Sequence, residues 1–521
     1  LCAEILRAMV NRLWAHGRMR NHIPVVVAPP RVLGSWKRDT REINLGAELF
    51  SNAQLSSKAE KQQGGLEVLQ RAQVLALDEA HNFLNASSNR SRTIQRAAPE
   101  HTLLLTATPI NRDVSDLLTI INLLGPDNFE DKIIRLVDDI ANAKPVARGG
   151  RTPMSDEDYD LLQRAISQFT LRRTKHQFNS LIDREPDAYR NELGNRCRYP
   201  KNKAAFYLTG ESEDDERWIG HIRSALSMLN GMVFIHKTLK LPDSPRWRNR
   251  PDAAQVWAKR MLQGAKALAA YHVMAALRSS RVAALEHIVG THEAWSLVWH
   301  ASKAPLKHTA ETGNLLHWVK DRSGRLPVNE LGVTDLPLIL VDEAAHRQAC
   351  EREAQIYGDI QKMILQISDL RETTKAEHIA EQMKRHKLLL AFDARPITLH
   401  DIHRRLEGQQ VIVRIATSER PDDCERVMKE FRLGSTATGI VALCTDAMSE
   451  GINLQAGSVI VHLDLPTVVR RLEQRDGRLS RMDSDHPEIE SWLPKDSAAF
   501  APRSGEEAIY RRYRMVQTLL G

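Results

Sequence analysis

Cysteine is scarce in this sequence. None of Cys2, Cys197, Cys350, Cys424 and Cys444 forms a CxxC pair or lies at metal-ligand spacing from another. That excludes a disulfide framework and a structural zinc of the finger type, and it reads as reduced thiols in a cytosolic compartment. Long apolar runs are missing too, so no stretch is long enough to cross a bilayer. The opening LCAEILRAMVNRLW interleaves acid and base with apolar positions. It reads as an amphipathic helix and not as a signal peptide. No initiating Met is present, so residue 1 is read as a point inside a longer protein. Repeats of fixed period and long low-complexity tracts are absent.

What is present fits a soluble globular protein of two or more domains. There are 521 residues, 42% hydrophobic and 27% charged, too many for one ordinary core. The net charge of +7 is compatible with a nucleic-acid partner without establishing one.

Two blocks share one pattern. In the first, IPVVVA (23–28), VLALD (74–78) and TLLLTA (102–107) read as buried strands. RVLGSWKRDTREI and DVSDLLTIINLLG (113–125) read as helices, with Asp113 a candidate cap and Gly125 the stop. In the second block the strands are KLLLAF (387–392), VIVRIA (411–416), GIVALC (439–444) and SVIVHLDL (458–465). The helices between them are 398–406, 421–431 and 467–479. Continuous apolar strands alternating with helices predict parallel sheets covered on both faces. The residues between the blocks, from about 150 to 385, read as mostly helical.

Each block carries candidate chemistry at its strand ends, where open α/β sheets gather ligands. Asp78 and Glu79 close the strand VLALD. One carboxylate there can hold a Mg²⁺ that bridges nucleotide phosphates, and the next can orient or deprotonate a water. His81 follows within reach of that site. Thr106 and Thr108, in LTATPINR, offer hydroxyls that can couple the next strand to it. Pro29 and Arg31 follow the first strand, where a guanidinium can hold a phosphate chain. In the second block, TDAMSEGINLQ (445–455) places Gly451 where backbone can approach a ligand closely. EQRDGRLSR (473–481) spaces Arg478 and Arg481 three apart, on one helical face if the helix continues. Alone, these read as a surface turn with two acids and a solvated basic helix. Their order along one chain is the signal.

That ordered set resembles the superfamily 2 helicases and, within them, the Swi/Snf-like DNA translocases. The resemblance rests on VVVAPPRVLGSWKRDTREI, LDEAHNF, LTATPINRDVSDLLTIINLLGPDNF, FTLRRTKHQF (169–178) and TDAMSEGINLQAGSVIVHLDLPTVVRRLEQRDGRLSR. It implies an α/β fold of two RecA-like parallel-sheet lobes with a large, mostly helical insertion. Lobe 1 would span 1–150, the helical region 151–385, lobe 2 386–495 and a C-terminal helix 496–521. The implied cofactors are ATP and Mg²⁺, the metal carried on Asp78 through the nucleotide. Asp78, Glu79, Arg478 and Arg481 would be catalytic. His81, Gly451, Asn453, Gln474 and Gly477 would contact nucleotide, and Thr106 and Thr108 would couple the site to motion. Pro29, Arg31 and Ser449 would lie near the nucleic-acid track. The implied partner is double-stranded DNA, with further protein partners through the helical middle, no membrane, and a bacterial cytosol or nucleoid location.

The family's phosphate loop has no match. No G-x-x-x-x-G-K-[ST] occurs. ARGGRTP (147–153) lacks the Lys and a preceding strand, and LILVDEAAHR (338–347) reads as a turn and helix start. The loop is expected ahead of residue 1, at the start of the first helix, and without it the chain is expected to hydrolyse ATP weakly or not at all. Two other readings stay open: a motor acting on RNA or on a transcription complex, and a non-catalytic scaffold that has lost its phosphate loop.

Overall fold

The structure is a computed structural model. It describes residues 2–500 apart from 21–22, 31, 57–66, 86–87, 108–114, 143–154, 192, 242–246, 248–249, 302, 334, 450–452 and 467–468. The described residues form two compact units. One runs to Thr174 and includes Pro466–Glu473; the other runs from Lys175 to Leu465 and from Gln474 onward.

The first unit is built on four parallel strands, β1 (Val25–Ala28), β2 (Glu48–Ser51), β3 (Val74–Asp78) and β4 (His101–Leu105), in the order β2-β1-β3-β4. All of β1 and the first four residues of β3 are buried, as their unbroken apolar sequence requires. Helices Cys2–Ala15 and Leu33–Glu42 cover one face. Ala3, Leu6, Val10 and Trp36 pack there on Val26, Ala28, Val74 and Ala76. On the other face Leu55, Leu69, Phe83 and Ile94 meet Val25, Val27, Leu75 and Leu77. β4 is an outer strand, and all five of its residues stay half-buried. The helix expected over 113–125 is found at Ser115–Leu124, and the candidate cap Asp113 lies outside the described residues.

The second unit holds a six-stranded parallel sheet. Its strands are β5 (Lys201–Leu208), β8 (Leu388–Phe392), β9 (Ile412–Ala416), β10 (Ile440–Cys444), β11 (Val459–His462) and β12 (Glu488–Lys495), in the order β5-β12-β11-β8-β10-β9. A two-residue pair, β6 (Thr238–Leu239) with β7 (Val328–Asn329), stands apart from it. The sheet therefore reaches back to residue 201, well before 386, because β5 pairs along its whole length with β12. Neither strand has a continuous apolar run; KNKAAFYL and EIESWLPK both carry charge.

Between β5 and β8 the chain is helical, as expected. Ala-rich Ala253–Ser279 buries Ala258, Ala265, Ala269 and Ala276, whose small side chains allow close packing. Gly231 has φ +74°, and a Cβ there would sit 2.3 Å from the Ala265 backbone, so only glycine fits. The buried Glu353 accepts the amides of Asn230, Gly231 and Met232 at 2.9–3.0 Å and fixes that turn. LILVDEAAHR forms a short helical turn and the start of helix Glu343–Gln366, capped by Asp342. Residues 496–500 form turns and irregular backbone; the rest of the expected C-terminal helix lies outside the described residues. Among the described residues, no helix is long and apolar enough to cross a membrane.

Candidate functional site

In the first unit the expected residues at the end of β3 do meet. Asp78 Oδ2 accepts a hydrogen bond from Trp36 Nε1 at 2.8 Å, and Oδ1 accepts the Glu79 amide at 2.8 Å. That second bond holds Glu79 in the left-handed region, at φ 49° and ψ 51°, a conformation that costs a non-glycine residue roughly 1–2 kcal/mol. The turn swings the Glu79 carboxylate onto His81, with Oε2 3.1 Å from Nδ1. Thr106 Oγ1, just past β4, lies 3.4 Å from the same nitrogen. His81 is buried, and its Nε2 finds no hydrogen-bond partner among the described residues. A chain of polar atoms thus links Glu79 through His81 to the loop after the neighbouring strand.

Electrostatics single out Asp78. Burial pushes its pKa above the ordinary carboxylate value; the Trp36 and Glu79 N–H groups pull it back only in part, and the Glu79 charge adds to the rise. The first turn of helix Cys2–Ala15 lies in the same field. Burial raises the Cys2 thiol, and the Asp78 charge raises it further. The first turn of this helix therefore lies near the carboxylate.

These features suit a hard cation. Each Asp78 oxygen keeps a second lone pair beyond the hydrogen bond it accepts. Positive charge at that point would relieve the cost of burying the carboxylate. The described residues contain no group of three or more His, Cys, Asp and Glu that could hold a metal by itself. A Mg²⁺ on Asp78 would thus take its remaining ligands from phosphate oxygens and water, as Mg²⁺ usually does.

In the second unit the structure corrects the expected helical face. The helix carrying the arginines ends at Asp476, and residues 477–479 turn. Gly477 breaks it, so the three-residue spacing does not stack Arg478 on Arg481. Arg478 is buried in the turn and donates from Nε to the Gln474 carbonyl at 3.1 Å; Arg481 lies half-buried in the loop beyond. The Leu454 amide donates to the Arg478 carbonyl at 3.2 Å. This joins the SEGINLQ segment to the arginine turn. Asn453 beside it is exposed, while Gln474 and Gly477 are half-buried.

Several expected residues cannot be placed. Arg31, Thr108 and Gly451 lie outside the described residues, as does the side chain of Ser449. Pro29 is buried directly after β1.

Two residues escaped the sequence reading. Trp36 sits in a segment read as phosphate-binding, yet its indole anchors Asp78. Arg475 looks like one more base in a basic helix but is fully buried, donating to Asp446 and Asp464 at 2.7 Å each. Burial opposes its charge, and the two carboxylates outweigh that and raise its pKa. Burial likewise pushes Asp464 up, but Arg475 more than reverses it. The signal was two aspartates just past apolar strands, Asp446 after β10 and Asp464 after β11, each needing a cation.

Comparison with known proteins finds two family domains along the chain. Residues 15–237 match the SNF2-related domain, and residues 370–483 match the Helicase conserved C-terminal domain. Helicase SWR1 of Mycosarcoma maydis is 26% identical over 180 residues, which cover 32% of this chain and 10% of that protein. Chromodomain-helicase-DNA-binding protein 1-like of Mus musculus is 27% identical over 194 residues, covering 32% and 20%. ATP-dependent RNA helicase FAL1 of Eremothecium gossypii is 30% identical over 79 residues, covering 15% and 19%. The matched regions span 10% to 20% of these relatives' lengths. These two domain matches, in this order along the chain, establish that it belongs to the Swi/Snf-like superfamily 2 helicases, a family of ATP-hydrolysing motors.

Proposed function

We propose that this chain is the motor portion of an ATP-driven translocase acting on double-stranded DNA. The observation that carries this reading is the polar chain Asp78–Glu79–His81–Thr106 at the end of β3. A half-buried carboxylate short of positive charge adjoins a second carboxylate wired to the next strand. Bound MgATP supplies the scissile phosphoanhydride and the metal. Asp78, kept in place by Trp36, would hold the cation that comes with the nucleotide. Glu79 orients the attacking water and accepts its proton at the carboxylate. His81 and Thr106 pass the change in that carboxylate to the loop after β4. Arg478 and Arg481 stabilise the charge that develops on the transferred phosphoryl group, work for which an arginine can be worth about 10³–10⁵ in rate. Phosphate contacts dominate the grip on DNA, so affinity falls steeply with salt.

The glycine loop that grips β- and γ-phosphates does not occur in the 521 residues. We infer that it belongs ahead of helix Cys2–Ala15. That helix begins in the field of Asp78, and β4 leaves a strand-wide edge beside it. The cavity along β4, about 260 Å³, is lined by Ile5 of this helix together with Leu103 and Leu105. A parallel strand placed there would end at the carboxyl side of the sheet and feed directly into the helix.

The test is ATP turnover with duplex DNA, single-stranded DNA or RNA. The 521-residue chain is expected to turn over weakly. A form extended by a strand and a G-x-x-x-x-G-K-[ST] loop should gain duplex-stimulated turnover, and Glu79→Gln should lower that at least about 100-fold. Normal turnover by the 521-residue chain sinks the inference about the loop. Stimulation by RNA alone moves the motor to RNA, a reading favoured by the match to a protein named as an RNA helicase.

A further inference from the structure

A second cavity lies in the other unit, away from every residue the sequence motifs mark. It measures about 600 Å³, within the range of small-ligand sites. Val413, Arg414 and Ile415 all line it. Successive strand residues point to opposite faces, so a cavity that touches all three sits on the open edge of β9, the outermost strand of its sheet. Helix Pro396–Arg405 forms one wall, and Ala301, Lys303 and Pro305 form another.

The lining is cationic. Lys303, Arg404, Arg414 and Arg420 face it with Glu407 and Asp423; once Arg414 is paired with Glu430 and Arg420 with Asp423, Lys303 and Arg404 stand against Glu407 alone. Two of the arginines are already fixed. Arg414 grips Glu430 at 3.0 Å, and Arg420 lies 3.4 Å from Asp423. The other two cations are not spoken for. Lys303 is exposed, and neither it nor Arg404 has an ion-pair partner among the described residues.

Arg404 is nevertheless held rigidly. Its guanidinium stacks 4.4 Å from the centre of the Trp299 ring, and the Trp299 indole N–H is anchored on Asp401 at 3.0 Å. Stacking occupies the face of a guanidinium and leaves its N–H edges to donate. His403 lines the same wall, and the buried Trp295 supplies an aromatic surface. Burial, with help from the nearby charges of Arg420 and His403, holds His400 down to about 4. It is therefore a neutral part of the wall, in a field already positive.

We propose that this cavity is a binding site for a phosphate group, carried either by a free phosphorylated compound of nucleotide size or by the end of a nucleic-acid strand. Pre-oriented guanidinium edges with an adjacent ammonium match phosphate oxygens. The cavity holds a compact, densely charged anion better than an extended chain of single carboxylates. The site does not depend on ATP hydrolysis.

The probe is inorganic pyrophosphate without divalent cations, titrated calorimetrically into the full chain. A 5′-phosphorylated ten-nucleotide strand and its unphosphorylated twin form a second arm, and a polyglutamate peptide a third. Pyrophosphate binding should weaken at least about tenfold in K303Q/R404Q and persist in R478Q. Glu407→Gln, which removes an opposing charge, should tighten it a few-fold and guards against a double variant that fails to fold. If pyrophosphate fails but the phosphorylated strand binds with the same sensitivities, the site takes strand ends. Binding that survives K303Q/R404Q, binding of the peptide alone, or no binding of either phosphate probe overturns the proposal.

Discussion

At the end of the first sheet a half-buried carboxylate stands short of positive charge; at the end of the second, a buried arginine stands between two carboxylates. Asp78 is served only by N–H groups from Trp36 and Glu79, and its pKa rises. Arg475 donates to both Asp446 and Asp464, and beside it His462 and Ser491 converge on Asp476 at 3.2 and 2.9 Å. The second cluster pairs its arginine with carboxylates of the protein itself. The first leaves a deficit that a bound cation can fill. The contrast separates charges that hold the fold from charges held ready for a ligand, and it explains why the most buried arginine of the QRDGRLSR segment is not one of the two expected to act on phosphate.

Three substitutions break or sharpen this contrast. The largest effect is expected for Arg475→Met. It strands Asp446 and Asp464 without their cation, and breaking a buried pair from one side costs about 3–5 kcal/mol. Urea unfolding should show that loss. A loss under about 1 kcal/mol would mean that the two carboxylates do not depend on this arginine. Trp36→Phe removes the N–H donor to Asp78 and leaves a small void, for an expected cost of about 1–2 kcal/mol. It should also raise the Asp78 pKa further and weaken Mg²⁺-dependent nucleotide binding; unchanged metal dependence would make Trp36 a packing residue only.

The smallest effect should have the opposite sign. Asp78 has a raised folded pKa, so the folded state binds its proton more tightly than the unfolded chain does. Stability then declines as pH rises from the unfolded value near 4 through the folded one. Asp78→Asn removes the penalty, so the melting temperature should rise slightly at pH 7, with the gain fading as the pH falls towards 4. A lower melting temperature at pH 7 would show that the hydrogen bonds of Asp78 outweigh its burial.

Much of this arrangement could be read from the chain. The central strands announce themselves because a parallel sheet buried on both faces needs unbroken apolar runs, and VLALD and IVALC are such runs. The strands that escaped are those whose sequence lacks that requirement. ELFS in β2 is short and half-exposed. β5 lies at the sheet margin and exposes lysines, and β12 carries Glu488, Glu490 and Pro494, which argue against an inner strand. For the site, motif order named Asp78, Glu79, His81 and Thr106, and the structure brings these together. It could not tell which arginine is buried, because Arg475, Arg478 and Arg481 look alike until the strand-end aspartates claim the first. It also assumed a helix through Gly477 that stops at Asp476.

The outer position of β4 bears on handling the protein. An outer strand that pairs on one side only among the described residues, with leucines along it, can template another extended chain. At high concentration, molecules of this length are expected to stick to one another through that side. Charged or proline substitutions along 101–105 would then improve solubility.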